Sequence, residues 1–227
     1  MRENKKLIIV GIGETATIAY EYFLHDSLYE VAGFSVSGQY MKGNQYLDLP
    51  LVAFEQVEEF FPPDAYDMYV AISYTHLNRD RARMYYAAKE KGYKLANYIS
   101  SRAFVWHNVE LGDNCFIFEN NVLQPFVKLH SNIILWSGNH IGHRTVIRDH
   151  CYVSSHVVIS GYCDIGEYSF LGVNAAFADH VKVEADCIIG MGAVMVRNSE
   201  RGKVHVGNPA KPLGKSSYET FGIEVTR

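Results

Sequence analysis

Between positions 111 and 195 an apolar residue returns at every sixth place without a slip: Leu111, Ile117, Leu123, Leu129, Leu135, Ile141, Ile147, Val153, Ile159, Ile165, Leu171, Phe177, Val183, Ile189 and Met195. Four places after each stands a residue that is mostly small or β-branched, as at Cys115, Thr145, Val157, Ala175 and Ser199. One place after, glycine recurs, at Gly112, Gly142, Gly166, Gly172 and Gly190. A repeat of six matches neither the period of about 3.6 of a helix nor the period of about 2 of an ordinary strand, and it predicts a hexapeptide β-solenoid. Each hexad forms one flat face of a prism, its first residue pointing inward and its fifth filling the space near a corner. Three hexads close a coil of eighteen residues, so the fifteen in phase predict five coils, stacked roughly 4.8 Å apart.

Before position 100 the pattern changes. Residues 7–10 are a short apolar run leading into Gly11-Ile12-Gly13, and 17–25 is helix-like. A strand is predicted at 30–36, a polar loop at 38–48 and a helix at 54–61 stopped by Pro62-Pro63. A strand at 68–72, a helix at 78–91 ended by Gly92, and a last strand at 95–99 follow. This alternation predicts a small α/β domain with a Rossmann-like parallel sheet. The expected organisation is an α/β domain over 1–100, a solenoid over 101–212, and a tail over 213–227 to which the pattern assigns no role.

Composition narrows the partners. With 48% hydrophobic and 20% charged residues and a formal charge of -4, the chain has a core and no basic field for nucleic acid. No apolar run approaches the roughly 18 residues of a membrane span. The first six residues enter a strand rather than a signal peptide, so no membrane insertion and a cytoplasmic location are expected. Cys115, Cys151, Cys163 and Cys187 all fall on the inward fifth position of their hexads. Cys115, Cys151 and Cys187 share a column two coils apart, roughly 9.6 Å and too far for a disulfide. They are expected to be buried fillers rather than acyl-carrying nucleophiles.

The register ends near Val206-Gly207-Asn208-Pro209-Ala210-Lys211, which is similar to the G-x-P-A-K element closing many hexapeptide transferases. An α/β domain, a hexapeptide solenoid and this ending together resemble the PglD/NeuD/PerB-type sugar acyltransferases of the hexapeptide-repeat family. The resemblance covers nearly the whole chain. It implies a left-handed parallel β-helix, an exception to the usual right-handed crossover. It also implies acyl transfer, usually of acetyl from acetyl-CoA, to a nucleotide-linked amino sugar, and a homotrimer with active sites between neighbouring solenoids.

Seven of the ten histidines lie between His107 and His180. His143 stands at the outward third position of its hexad, beside a corner, and its counterpart one coil on is Gly161. The family's catalytic histidine falls on His143, which the resemblance therefore makes the general base. The Gly161 backbone N–H is the expected oxyanion donor. Two positions depart from the family. Its acidic neighbour is Arg144 here, which leaves the group orienting the imidazole open, and its second histidine, a contact to the acyl group, aligns with Tyr152, which the resemblance therefore makes a candidate acyl-CoA contact. His140, His150 and His156 are the alternatives to His143.

Along the corners, the resemblance favours Val173 and Met191 as acyl-CoA contacts, and Arg197, Lys203 and Lys211 are candidates for its phosphates. Solenoids of the carbonic-anhydrase type hold zinc through H-x4-H and a third histidine. No two histidines here are five apart, and no metal is expected.

The turn from strand to helix at Gly13, Glu14 and Thr15 offers backbone N–H groups to a phosphate, with Ser35 and Ser73 expected nearby. The second strand ends in Phe34-Ser35, with no acidic residue to hold a ribose, which argues against NAD and leaves UDP, dTDP and GDP open. Two further readings stay open: sugar O-acetylation, and a non-catalytic nucleotide-sugar-binding solenoid.

Overall fold

The computed structural model describes residues 5–224. They form two compact units, one built from the chain up to Ser73 and from Arg81–Tyr98, the other from Tyr74–Asp80 and the chain from Ile99 onward. The first unit is a five-stranded sheet. Its strands are β1 (Lys5–Val10), β2 (Tyr29–Val36), β3 (Gln45–Tyr46), β4 (Leu49–Ala53) and β5 (Tyr66–Val70), in the order β3-β4-β2-β1-β5. All pairings are parallel except the β3–β4 hairpin. Leu7, Ile8 and Ile9 on β1 are fully buried, as a strand covered on both faces requires. Helix α1 (Glu14–His25) buries Ala16, Ala19 and Phe23.

Four elements differ from the sequence expectation, the first being β3, which forms inside the loop expected over 38–48. Strand β4 was not foreseen because Pro50 reads as a breaker. It is tolerated because Pro50 lies in the hairpin and the parallel pairing with β2 begins only at Leu51. The helix at 54–61 is a 3-10 turn followed by the single turn α2 (Val57–Phe60). The expected last strand at 95–99 is reduced to one bridge, Met68 to Leu95. Its end, Tyr98–Ile99, instead heads a sheet of the solenoid.

The second unit is the β-helix. Paired residues on neighbouring coils are eighteen apart, as Val122 is from His140 and Val146 from Asp164. The first face carries Phe104–Val105, Val122–Leu123, His140–Ile141, Val158–Ile159, Ala176–Phe177 and Val194–Met195. The second runs from Glu110–Leu111 to Lys182–Val183, and the third from Tyr98–Ile99 through Ile188–Ile189. The helix therefore begins at Ile99 and Val105, two hexads earlier than Leu111. Inside, the first and fifth positions of each hexad form one continuous core, from Cys115 to Met195. Burying each large apolar side chain contributes about 1.5–3 kcal/mol, which enforces the register position by position.

The corners turn on the fourth residue of each hexad. From Asn114 to Asp186 the residue there takes a left-handed φ, as at Asn132, Arg144, His150 and Tyr162. Asparagine suits that conformation, and the larger residues adopt it at a cost that the stacked coils offset. Glycine at the second position answers a different demand: a Cβ on Gly142 would lie 2.5 Å from the backbone of Ser160 on the next coil.

Outward residues give the three faces different characters. The first face presents Phe104, Val122, His140, Val158, Ala176 and Val194, the second Glu110, Lys128, Val146, Asp164 and Lys182. The third presents Phe116, Ile134, Tyr152, Phe170 and Ile188, and the chain covers part of it itself. Tyr74 meets Tyr152 and Phe170 edge-on, and Leu77 is buried against Ile188 and Val204. The tail is part of this cover. Lys203–Val206 pairs parallel to Ile188–Ile189, and Lys211–Ser216 returns antiparallel beside it. Helix Ser217–Phe221 is fixed by a Ser216–Glu219 capping box, a signal that was readable as S-x-x-E.

Candidate active site

His143 follows the first-face strand His140–Ile141 and lies at the corner leading to the second face, exposed to solvent. Its imidazole rests over Gly161, where an added Cβ would come within 2.6 Å of Cε1 and 2.9 Å of Nε2. The glycine thus makes the room the ring occupies. Tyr162 meets the ring edge-on at 5.1 Å, and His180 stacks on Tyr162 in turn. One coil back, Gln124 Oε1 accepts the His143 backbone N–H at 2.9 Å and lies 3.3 Å from Nδ1. Gln124 was missed in the sequence. The eighteen-residue period places it one coil and one residue before His143, which was the available signal. Arg144 turns to cover the Phe126 ring, with its guanidinium 4.4 Å from the centroid.

Two expectations for this corner are corrected. The Gly161 N–H donates to Asp179 Oδ1 at 2.8 Å, so in this structure it is engaged and does not wait for an oxyanion. Tyr152 lies on the third face, not at the His143 corner, because nine residues are half a coil rather than a whole one. It is buried and stacks on Phe170 at 5.4 Å with an interplanar angle of 7°. That makes it a packing residue, not an acyl-CoA contact.

The alternative histidines separate clearly. His150 is buried, its Nδ1 2.8 Å from Asn132 Nδ2 and its ring against Tyr168, within a ladder that begins at Asn114. His156 is exposed at a different corner, over Gly138. His140 is half-buried on the first face. All four cysteines are buried thiols, none of them in a disulfide. Burial pushes the Cys163 thiol, two residues from Gly161, up to about 11, and raises Cys187 as well. Neither supplies a thiolate near neutral pH.

Val173 and Met191 are exposed at the corner between the third and first faces. Arg197 and Lys211 come together at the C-terminal end of the solenoid. With Lys203, Glu200 and His205 they line a cavity of about 230 Å³. Burial holds His205 below the ordinary histidine value, with Glu200 opposing and Lys203 adding to the shift. Among the described residues no three His, Cys, Asp or Glu side chains converge as a metal-ligand set, and no described helix is long and apolar enough to cross a membrane.

In the first unit, the carboxyl ends of the parallel strands gather the other predicted residues. Gly11, at φ +127°, donates its N–H to Ser35 O, and Ala71 N–H reaches Val10 O. Gly13 is the N-cap of α1 and faces open space, with Glu14 exposed and Thr15 half-buried beside it. Ser35 is fully buried, and among the described residues its Oγ has no hydrogen-bond partner. Ser73 follows β5, and its carbonyl accepts from Arg81.

No protein-family model matches the chain. The acetyltransferase domain of PglB from Neisseria gonorrhoeae superposes with a TM-score of 0.82 at 25% identity, over 92% of this chain and 100% of that one. Perosamine N-acetyltransferase from Caulobacter crescentus, solved with CoA and GDP-perosamine, gives 0.81 at 24% identity, over 92% and 97%. Among curated proteins, mitochondrial gamma carbonic anhydrase 2 of Arabidopsis thaliana is 27% identical over 162 residues, 63% of this chain and 57% of its own length. Acyl-[acyl-carrier-protein]–UDP-N-acetylglucosamine O-acyltransferase of Burkholderia thailandensis is 22% identical over 111 residues, 43% of this chain and 42% of its own. The chain thus spans about half the length of the curated relatives it matches. It has the hexapeptide-repeat left-handed β-helix fold of these acetyltransferase structures.

Proposed function

We propose that this chain is an acyl-CoA-dependent N-acyltransferase, taking acetyl from acetyl-CoA and acting on a nucleotide-linked amino-deoxy sugar. The observation that carries the reading is His143 lying open at a solenoid corner in space left by Gly161. The likeness to a perosamine N-acetyltransferase solved with CoA and GDP-perosamine, and to a PglB domain solved with acetyl-CoA, supports both substrates. The sugar amine attacks the thioester carbonyl while His143 Nε2 takes its proton. The tetrahedral intermediate then collapses with cleavage of the C–S bond, and the departing thiolate takes the proton from the imidazolium. The burial of all four cysteines, with the Cys163 and Cys187 thiols pushed up, favours direct transfer over an acyl-enzyme.

A homotrimer fits this chemistry. Apart from His140, the outward residues of the first face are apolar, with Phe104 and Val158 about half exposed. That face is bordered by the His143 corner on one side and the Val173 and Met191 corner on the other. Packing through it would bring one subunit's base beside another's acyl-CoA contacts. Arg197 and Lys211, in one cavity, suit the phosphates of CoA.

The steric role of Gly161 makes a separable prediction. Gly161→Ala pushes against the far end of a side chain rather than backbone. Its melting temperature is expected to stay near wild type while turnover falls roughly 10²-fold, the scale of an ångström-sized misplacement. A matched fall in stability would mean that Gly161 serves the fold instead.

In the first unit, we read the sheet as Rossmann-like, with a nucleoside diphosphate at the α1 N-terminus. Calorimetric titration with UDP, dTDP, GDP and NAD tests this. One nucleoside diphosphate should bind. Preference for NAD over all three would overturn the assignment.

A further inference from the structure

We propose that Gln124 is the positioning residue of the site: its side-chain oxygen holds the proton of neutral His143 on Nδ1 and leaves Nε2 free to act. The inference rests on the reading of His143 as general base, and it answers what replaces the acidic neighbour where the chain has Arg144.

Gln124 directly follows the strand Val122–Leu123, and its own N–H is bonded to Ile141 O at 3.0 Å, so its position is set by the ladder. An amide side chain offers an acceptor oxygen at one end and a donor nitrogen at the other. The His143 backbone N–H, 2.9 Å away, can meet only the acceptor, so this contact fixes which end faces the histidine. The same Oε1 lies 3.3 Å from Nδ1. A bare Nδ1 would set lone pair against lone pair there, whereas a protonated one donates. One oxygen with two lone pairs therefore serves both N–H groups of His143, and the neutral ring is held as the Nδ1–H tautomer.

The surrounding groups leave this contact in charge of the ring. Tyr162 touches it by an edge, and His180 stacks on the far side of Tyr162. Asp179 is engaged by the Gly161 N–H, and Arg144 lies over Phe126. A neutral amide orients the imidazole without the added attraction a carboxylate gives the imidazolium. A carboxylate at position 124 should therefore make the ring a stronger base that is protonated at higher pH.

Nitrogen-15 spectra of the ring, assigned through His143→Ala, test the contact without any substrate. Wild type should show a protonated Nδ1 and a bare Nε2. Gln124→Leu should shift the population toward Nε2–H and lower kcat by about 10-fold with KM for acetyl-CoA unchanged. The loss falls short of the ~10⁴-fold of a buried triad with the wrong tautomer, because an exposed ring still samples the right one. Gln124→Glu should restore the tautomer and move the acidic limb of the rate profile to higher pH. A protonated Nε2 in wild type, or a tautomer indifferent to Gln124→Leu, overturns the contact even if His143 proves essential. Wild-type turnover by His143→Ala overturns the catalytic role of the pair even if the tautomer shifts as stated.

Discussion

His143→Ala is expected to lower turnover by roughly 10²–10⁴-fold, the usual contribution of a general base, while CoA binding stays near wild type. The separation follows from where the groups lie. The base stands over Gly161, whereas Arg197 and Lys211 line a cavity at the C-terminal end and Val173 and Met191 occupy another corner. His143→Asn removes the basic nitrogen with less change in volume and should match the alanine variant. His150→Ala offers the contrast. That ring is buried in the ladder with Asn132 and Tyr168, so its loss should lower stability and spare the chemistry. If His143→Ala keeps its rate while His156→Ala loses it, the catalytic corner is the other one.

The second large effect concerns stability. Asp186 is fully buried and accepts from Arg79, Arg201 and the Tyr218 hydroxyl, tying the Tyr74–Asp80 segment and the C-terminal helix to the last coils. Burial alone would raise its carboxyl. The hydrogen bonds from Arg79, Tyr218 and Arg201 outweigh it and hold the group below the ordinary carboxylate value. Asp186→Ala should cost about 3 kcal/mol, the low end for breaking a buried ion pair, because both guanidinium groups are partly in water and are left less stranded. For a chain of this size that is a fall in Tm of roughly 6–12 °C, readable by calorimetry. A carboxyl whose folded pKa is depressed contributes stability that is fully present above its unfolded value of about 3.9 and is lost as pH falls through the folded value. The gap between wild type and variant should therefore be constant near neutrality and close in acid. A gap that widens in acid would contradict the assignment.

The repeat made the solenoid legible because its period of six is a ruler that other folds do not share. Ile99 and Val105 are in the same phase. They were hidden because a short run before Ser100 also satisfies the alternation of an ordinary strand. Strand β4 was hidden by Pro50, whose harmlessness depends on a hairpin partner that sequence pattern does not reveal. The same ruler brought His143 to Gly161, since residues eighteen apart must stack. Applied to Tyr152 it would have excluded that residue from the corner. Gln124 was within reach of the ruler in position but not in role, because its contribution depends on which way an amide faces. The engagement of the Gly161 N–H by Asp179 is equally a matter of side-chain direction.

The central claim is acyl transfer to an amine on a nucleotide-linked sugar. The most direct measurement is thiol release from acetyl-CoA in the presence of UDP-, dTDP- and GDP-linked amino sugars, with the sugar product identified by mass. Thiol release is expected with at least one of them, matched mole for mole by an N-acetylated sugar and lost in His143→Ala. No thiol release with any amino sugar, or release matched only by an O-acetylated product, would contradict it.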